Sequence, residues 1–237
     1  MASPNFRFKL FTVWHDHCAM KVGTDGVLLG AWAQQKHART ILDIGTGSGL
    51  IALMLAQRFQ EAEITGIDID PSAAKQASDN FRLSPWSHRM HARCIDLHTF
   101  SLEDGHFDLI VSNPPYFLAS LKNPNQQRAT ARHNDSLPHD MLLSCSSRLL
   151  KEDGQLCVIL PADQANSFLH TAKQFSLHTH HIVWVHPTPQ SEPKRVLLAL
   201  GKDNAAPLTE HFIIESGGRH QYSEEYKQLT AAFYLDK

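Results

Sequence analysis

Ser112-Asn113-Pro114-Pro115-Tyr116-Phe117 is the stretch of this sequence best equipped for chemistry. Two consecutive prolines stiffen the backbone and offer no N–H. Such a loop presents acceptors: the Asn113 side-chain oxygen and the Pro114 carbonyl. An amino group conjugated to a ring or carbonyl is a poor nucleophile, because its lone pair is delocalised. Two acceptors gripping its two N–H bonds turn that lone pair toward an electrophile. Tyr116 follows where an aromatic face can stack on a planar target, as a flipped base requires. Asn113, Pro114, Pro115 and Tyr116 are the candidate catalytic residues. Their work is positioning, with no covalent enzyme intermediate and no metal.

The electrophile is suggested upstream, in Leu42-Asp43-Ile44-Gly45-Thr46-Gly47-Ser48-Gly49-Leu50. Glycines here let the backbone approach a ligand at the end of a first strand. A dinucleotide loop prefers G-x-G-x-x-G, with pyrophosphate on the following helix N-terminus. Here the pattern is G-x-G-x-G, and Leu50 stands at the third-glycine position. Asp43 would repel a pyrophosphate and suit a cation. D-x-G-x-G-x-G resembles the loop of class I methyltransferases that bind S-adenosylmethionine, which carries an ammonium and a sulfonium but no phosphate. Gly45 and Gly47 would pass close to it. Asp68, 25 residues after Asp43, ends the second predicted strand, where a carboxylate can accept both ribose hydroxyls. Asp96, after the third, can accept from the adenine amino group, with Ile69 and Leu97 on the ring's two faces. Asp70 reads as a plain helix cap. The sulfonium methyl is then the electrophile in an in-line displacement, with Asn113 facing donor and acceptor.

Strand ends must carry these loops. From residue 40 the text alternates, with strands at Thr40–Ile44, 64–69, Met90–Cys94, Phe107–Ser112 and 155–160. Helices fall at Leu50–Arg58, at 70–83 (an Asp N-cap, then Pro71), at 137–150 closed by Asp153-Gly154, and at 163–175. That spacing implies βαβ units, a mostly parallel sheet and helices on both faces. Strands at 177–185 and 195–201 look like an antiparallel pair at the sheet edge, and 208–215 adds another strand. Ser223, Glu224 and Glu225 open a closing helix over 222–235. Phe6, Phe8 and Leu10 alternate with Arg7 and Lys9, which suggests a hairpin arm. With no linker or repeat, the reading is one domain: an arm and cofactor segment (1–39), a Rossmann-like core (40–202) and an extension (203–237).

Composition narrows the function classes. The formal charge is −2, which as a whole-chain sum points away from nucleic acid. By segment it splits: +3 over 1–40, −5 over 41–112, +3 over 113–134 and −3 over 135–237. Lys122, Arg128 and Arg132, with Phe117, follow the catalytic loop and suit RNA contacts, and Arg7 and Lys9 extend that surface. Local, salt-sensitive binding is therefore expected. The longest apolar run, Leu50–Ala56, is seven residues, too short for a membrane span. The N-terminus lacks a signal-peptide core, and four scattered cysteines suggest a reducing, cytoplasmic setting. Sixteen histidines invite a metal site, yet neither His178/His180/His181 nor the cluster His15-Asp16-His17-Cys18 has a carboxylate or cysteine partner at ligand spacing, and both read as solvated or structural.

Further residues carry a resemblance. Cys18-Ala19-Met20-Lys21-Val22-Gly23-Thr24-Asp25-Gly26 resembles the segment that, in adenine-N6 enzymes, contacts the methionine end of the cofactor. With L-D-I-G-T-G-S-G-L, S-N-P-P-Y-F, Arg195-Val196-Leu197-Leu198 and the ending Tyr222-Ser223-Glu224…Ala232-Phe233-Tyr234, the chain is similar to the bacterial tRNA1(Val) (adenine-37-N6)-methyltransferase family. The resemblance implies a Rossmann-like class I methyltransferase fold: an α/β, mostly parallel seven-stranded sheet with an antiparallel edge strand. It also implies S-adenosyl-L-methionine as donor, S-adenosyl-L-homocysteine as product, and Lys21, Thr24 and Asp25 on the donor. The acceptor it implies is a tRNA anticodon-loop adenine; no membrane or obligatory protein partner is implied. The residues themselves reach only an amino group on a planar acceptor. Another RNA base or a release-factor glutamine amide stays an alternative, though the 42 residues before Asp43 read as arm and cofactor segment rather than the helical domain of the amide enzymes.

Overall fold

The computed structural model describes residues 3–16, 18, 21–101, 106–115 and 137–235. Tyr116, Phe117, Lys122, Arg128 and Arg132 therefore lie outside the described residues. An antiparallel hairpin, β1 (Asn5–Arg7) and β2 (Thr12–Trp14), precedes helix α1 (Thr24–Trp32). Then come β3 (Thr40–Ile44), α2 (Leu50–Arg58), β4 (Glu63–Asp68), α3 (Pro71–Arg82), β5 (Met90–Cys94) and β6 (Phe107–Ser112). The second half runs α4 (His139–Leu149), β7 (Leu150–Pro161), α5 (Ala165–Gln174), β8 (His178–His186), β9 (Arg195–Gly201), β10 (Leu208–Ile213) and α6 (Glu224–Thr230).

The mostly parallel sheet is present, with spatial order β10-β8-β9-β7-β6-β3-β4-β5. It has eight strands where seven are expected. Antiparallel β9 lies inside, between β7 and β8, and the edge is β10, which runs parallel to β8. Burial explains the order. Six of the seven β9 residues are buried, so the strand needs cover on both faces, whereas β10 is largely exposed and tolerates an edge. Asp153-Gly154 also differ from their expected role. These residues do not close a helix: α4 ends at Leu149 and β7 begins at Leu150. Gly154 sits inside β7, opposite a register shift between Phe107 and Leu109, and a Cβ there would come 2.8 Å from the Phe107 carbonyl. Close backbone approach requires the glycine.

Two apolar layers cover the sheet. One packs α1, α2, α3, α6 and the hairpin on one face; the other packs α4 and α5 on the opposite face. Helix α3 starts as its sequence dictates, with Pro71 first and the Asp70 carboxylate accepting the Ser72 N–H at 2.9 Å. Ser223 caps α6 by accepting the Tyr226 N–H. Two guanidiniums, half-buried Arg58 and buried Arg89, satisfy the C-termini of two helices. Arg58 donates to the Gly30 and Ala33 carbonyls of α1. Arg89, 4% exposed, donates to the carbonyls of Ala56 in the last turn of α2 and of Phe59 and Ala62 after it. Helix α1 lies tightly on α2: a Cβ on Gly30 would meet Met54 Sδ at 2.8 Å, and one on Gly26 would meet Leu50 Cδ2 at 3.0 Å. No helix among the described residues is long and apolar enough to cross a membrane.

Candidate active site

Parallel register brings the singled-out loops to one edge. Ile44 pairs with Ile67 on one side and Ser112 on the other, and Asp68 pairs with Cys94. The residues that follow, Gly45, Ile69, Ile95 and Asn113, therefore all leave the carboxyl ends of neighbouring strands, where open α/β sheets bind ligands. The Gly45 and Thr46 N–H groups both donate to the Ile67 carbonyl at 2.9 Å, which starts the turn. Gly45 (φ 72°) and Gly47 (φ 55°) take left-handed conformations, and a Cβ on either would meet nothing within 4 Å. That side of the loop is open. Gly49 (φ 80°) is required differently, since its missing Cβ would press on Phe81.

The three acids divide their work. Asp43 is fully buried, and one oxygen, Oδ2, accepts from Thr46 Oγ1 at 2.7 Å and from the Ala52 N–H at 3.2 Å. It thus ties the glycine loop to α2. Its Oδ1 is buried without a partner. Burial pushes the Asp43 carboxyl up from 3.8 to about 7, against the Thr46 and Ala52 hydrogen bonds. The folded protein disfavours the charged form, so this group's contribution to stability declines as pH rises from about 4 to about 7. We expect Asp43→Asn to gain thermal stability relative to wild type across that interval. Melting curves at pH 4 to 8 check this, and a difference in melting temperature that does not change with pH refutes it.

Asp68 accepts the Gly47 N–H on Oδ2 at 2.9 Å and the Asp70 N–H on Oδ1 at 3.0 Å. Each carboxylate oxygen keeps a lone pair for a further donor. Asp96 caps a short 3-10 turn, Leu97–Thr99, accepting the His98 N–H. Ile69 is 56% exposed and Leu97 5%, so the pair offers one open apolar face and one embedded in the core. In the catalytic loop Asn113 is half-buried, Pro114 buried and Pro115 exposed. Ser112, which sequence reasoning passed over, anchors this loop by donating to the Ile44 carbonyl at 2.9 Å. Lys21 and Thr24 are exposed, and Asp25 is held by Arg195.

Two further residues were also missed. Asn80 accepts the Trp14 N–H, then donates to the Trp14 carbonyl and to the Ser48 carbonyl, so it joins the hairpin to the glycine loop. Arg195 belongs to a quoted motif, but its partner lies 170 residues away. No local pattern announces either link. The histidines of β8 do find carboxylates the spacing did not suggest, His181 with Glu210 and His180 with Asp203. No group of three or more His, Cys, Asp or Glu side chains among the described residues could hold a metal ion.

The donor set fits a nucleoside that carries positive charge and hydroxyls. The open glycine turn and the Asp68 and Asp96 carboxylates suit donors and cations and would repel a pyrophosphate, while Asp43, fully buried, braces the loop from within.

Comparison with known proteins agrees. The methyltransferase small domain family matches residues 17–180. The tRNA1(Val) (adenine(37)-N6)-methyltransferase of Phocaeicola vulgatus is 52% identical, covering 100% of both chains. That of Bacteroides thetaiotaomicron is 49% identical over 99% of each, and that of Yersinia pestis 46% over 98% of this chain and 94% of the relative. Among solved structures, a predicted O-methyltransferase of Agrobacterium tumefaciens has a TM-score of 0.70 at 22% identity, covering 88% of this chain and 96% of that one. The geranyl diphosphate C-methyltransferase of Streptomyces coelicolor has 0.52 at 16%, covering 74% and 75%. At such identities the structural likeness is one of fold.

Proposed function

The chain belongs to the tRNA1(Val) (adenine(37)-N6)-methyltransferase family, and from that premise we propose how it transfers a methyl group from S-adenosyl-L-methionine to N6 of adenine-37 in the anticodon loop of tRNA1(Val). The carrying observation is the pairing of Ile44 with Ser112, which sets the glycine loop and the Asn113 loop on adjacent strand ends. Adjacent strands lie about 4.8 Å apart, within reach of one donor and one acceptor molecule held face to face.

The bound donor supplies a methyl on a sulfonium, already activated as an electrophile. The protein's part is placement. Asp68 receives the ribose hydroxyls while keeping the Gly47 and Asp70 N–H groups. Asp96 receives the adenine amino group through the oxygen not used by His98, and Ile69 and Leu97 flank that ring. Lys21 and Thr24 serve the methionine end, with the open side of Gly45 and Gly47 beneath. Asn113 and the Pro114 carbonyl grip the two N–H bonds of the acceptor amine and aim its lone pair, and Pro115 stiffens the presenter. Tyr116 stacks on the adenine, and Phe117, Lys122, Arg128 and Arg132 meet the RNA around it. After transfer the cationic amine loses its proton to water, so no side chain is needed as base.

One methyltransferase domain over residues 1–237 acts in the cytoplasm, where its tRNA substrate is. Labelled methyl donor with unmodified tRNA, fractionated by species, tests the acceptor. Label in tRNA1(Val) alone is expected; label in a release factor and none in tRNA would overturn the reading.

A further inference from the structure

We propose that Arg195 is a positioning residue for the donor site, latching the N-terminal segment across the carboxyl edge of the sheet through Asp25. This rests on the donor-site reading above and deepens it. The segment enters the edge at Trp14, whose N–H and carbonyl are both held by Asn80, which also reaches Ser48 in the glycine loop. The Cys18 thiol is pushed up to about 11 by burial and by the Asp68, Asp70 and Asp16 carboxylates.

The other end of the segment is fixed on the opposite flank. Arg195 Nε donates to Asp25 Oδ2 at 2.8 Å, with the two side chains 31% and 24% exposed. Arg195 opens β9 and pairs with Pro161 at the end of β7. The strand order is β9-β7-β6-β3-β4, so the Asp25 fixture on β9 and the Ser48 fixture in the loop after β3 bracket the ends of β6 and β3. Those ends carry Asn113 and Gly45. Lys21 and Thr24 belong to the chain between the two fixtures. Helix α1 adds the third constraint, because Gly26 and Gly30 let it press on α2 directly after the glycine loop.

This arrangement changes the role of Asp25. The sequence resemblance puts it on the donor; the structure commits its Oδ2 to Arg195, so its effect comes through where it holds Lys21 and Thr24. A half-exposed ion pair adds little to global stability. Its value is geometric, and the fixed fork of a guanidinium suits it better than an ammonium does.

Calorimetric binding of S-adenosyl-L-homocysteine decides the matter. Arg195→Ala and Asp25→Asn should each weaken affinity about tenfold, with melting temperatures within a few degrees of wild type. The reversal Asp25→Arg with Arg195→Asp should recover most of that loss, which shows that the two act as a pair; a merely structural role would instead lower the melting temperature along with the affinity. Should the alanine variant unfold, Arg195→Lys gives the same reading, with an intermediate loss expected. Wild-type affinity in Arg195→Ala or Arg195→Lys, or a double reversal no better than the single variants, would overturn the latch. Failure of the wild type to bind the product would instead overturn the donor-site reading on which it rests.

Discussion

Asn113→Ala should lower single-turnover methyl transfer to tRNA by about 10²–10³-fold while reducing product affinity far less. The magnitude is that of removing one fixed polar contact made to the reacting centre. The asymmetry follows from position. Asn113 leaves β6 beside the glycine loop, half-buried, on a backbone stiffened by Pro114 and Pro115 and anchored through Ser112 to Ile44. Alanine keeps that backbone and removes the acceptor. The target amine then keeps one grip, from the Pro114 carbonyl, and its lone pair is no longer aimed. Asn113→Asp retains an acceptor and should keep part of the rate. Undiminished transfer by the alanine variant would show that the loop does not hold the amine.

Asp68→Ala should weaken S-adenosyl-L-homocysteine binding about 10–100-fold, as measured calorimetrically. Two effects add. The ribose hydroxyls lose a charged acceptor, worth about 1.5–3 kcal/mol in such bonds. The Gly47 and Asp70 N–H groups also lose the carboxylate that holds the glycine loop against the end of β4. Loop loosening alone would slow nothing else at the edge, so the melting temperature should move by only a few degrees. Affinity equal to wild type would remove the ribose role.

Much of this site is legible in the order of residues because it is local. Asp70-Pro71 caps α3 within one turn, and Ser223 does the same for α6. The positive φ of Gly45, Gly47 and Gly49 is a property of three residues that can adopt it cheaply. An Asn-Pro-Pro run limits its own backbone wherever it is placed. Asp68 ends a strand whose apolar pattern is visible, Asp96 caps its own turn two residues on, and the charge split marks the basic segments that the total of −2 conceals.

What was not legible depends on neighbours far away in the chain. Asp153-Gly154 reads as a helix stop until the Phe107 carbonyl is found 2.8 Å from where a Cβ would be. Carboxylates approach the β8 histidines from Asp203 and Glu210, outside any ligand spacing.

The sequence by itself determined the alternation of elements, the turns at the strand ends and the chemistry those turns can do. These follow from backbone sterics, capping and side-chain pattern over a few residues. Only the tertiary structure decided the strand order, with β9 inside and β10 at the edge, and the pairing of Asp25 with Arg195 over 170 residues. Strand order depends on which buried surfaces find cover, and a long-range ion pair on which strand ends meet. Neither is encoded in any stretch short enough to read alone.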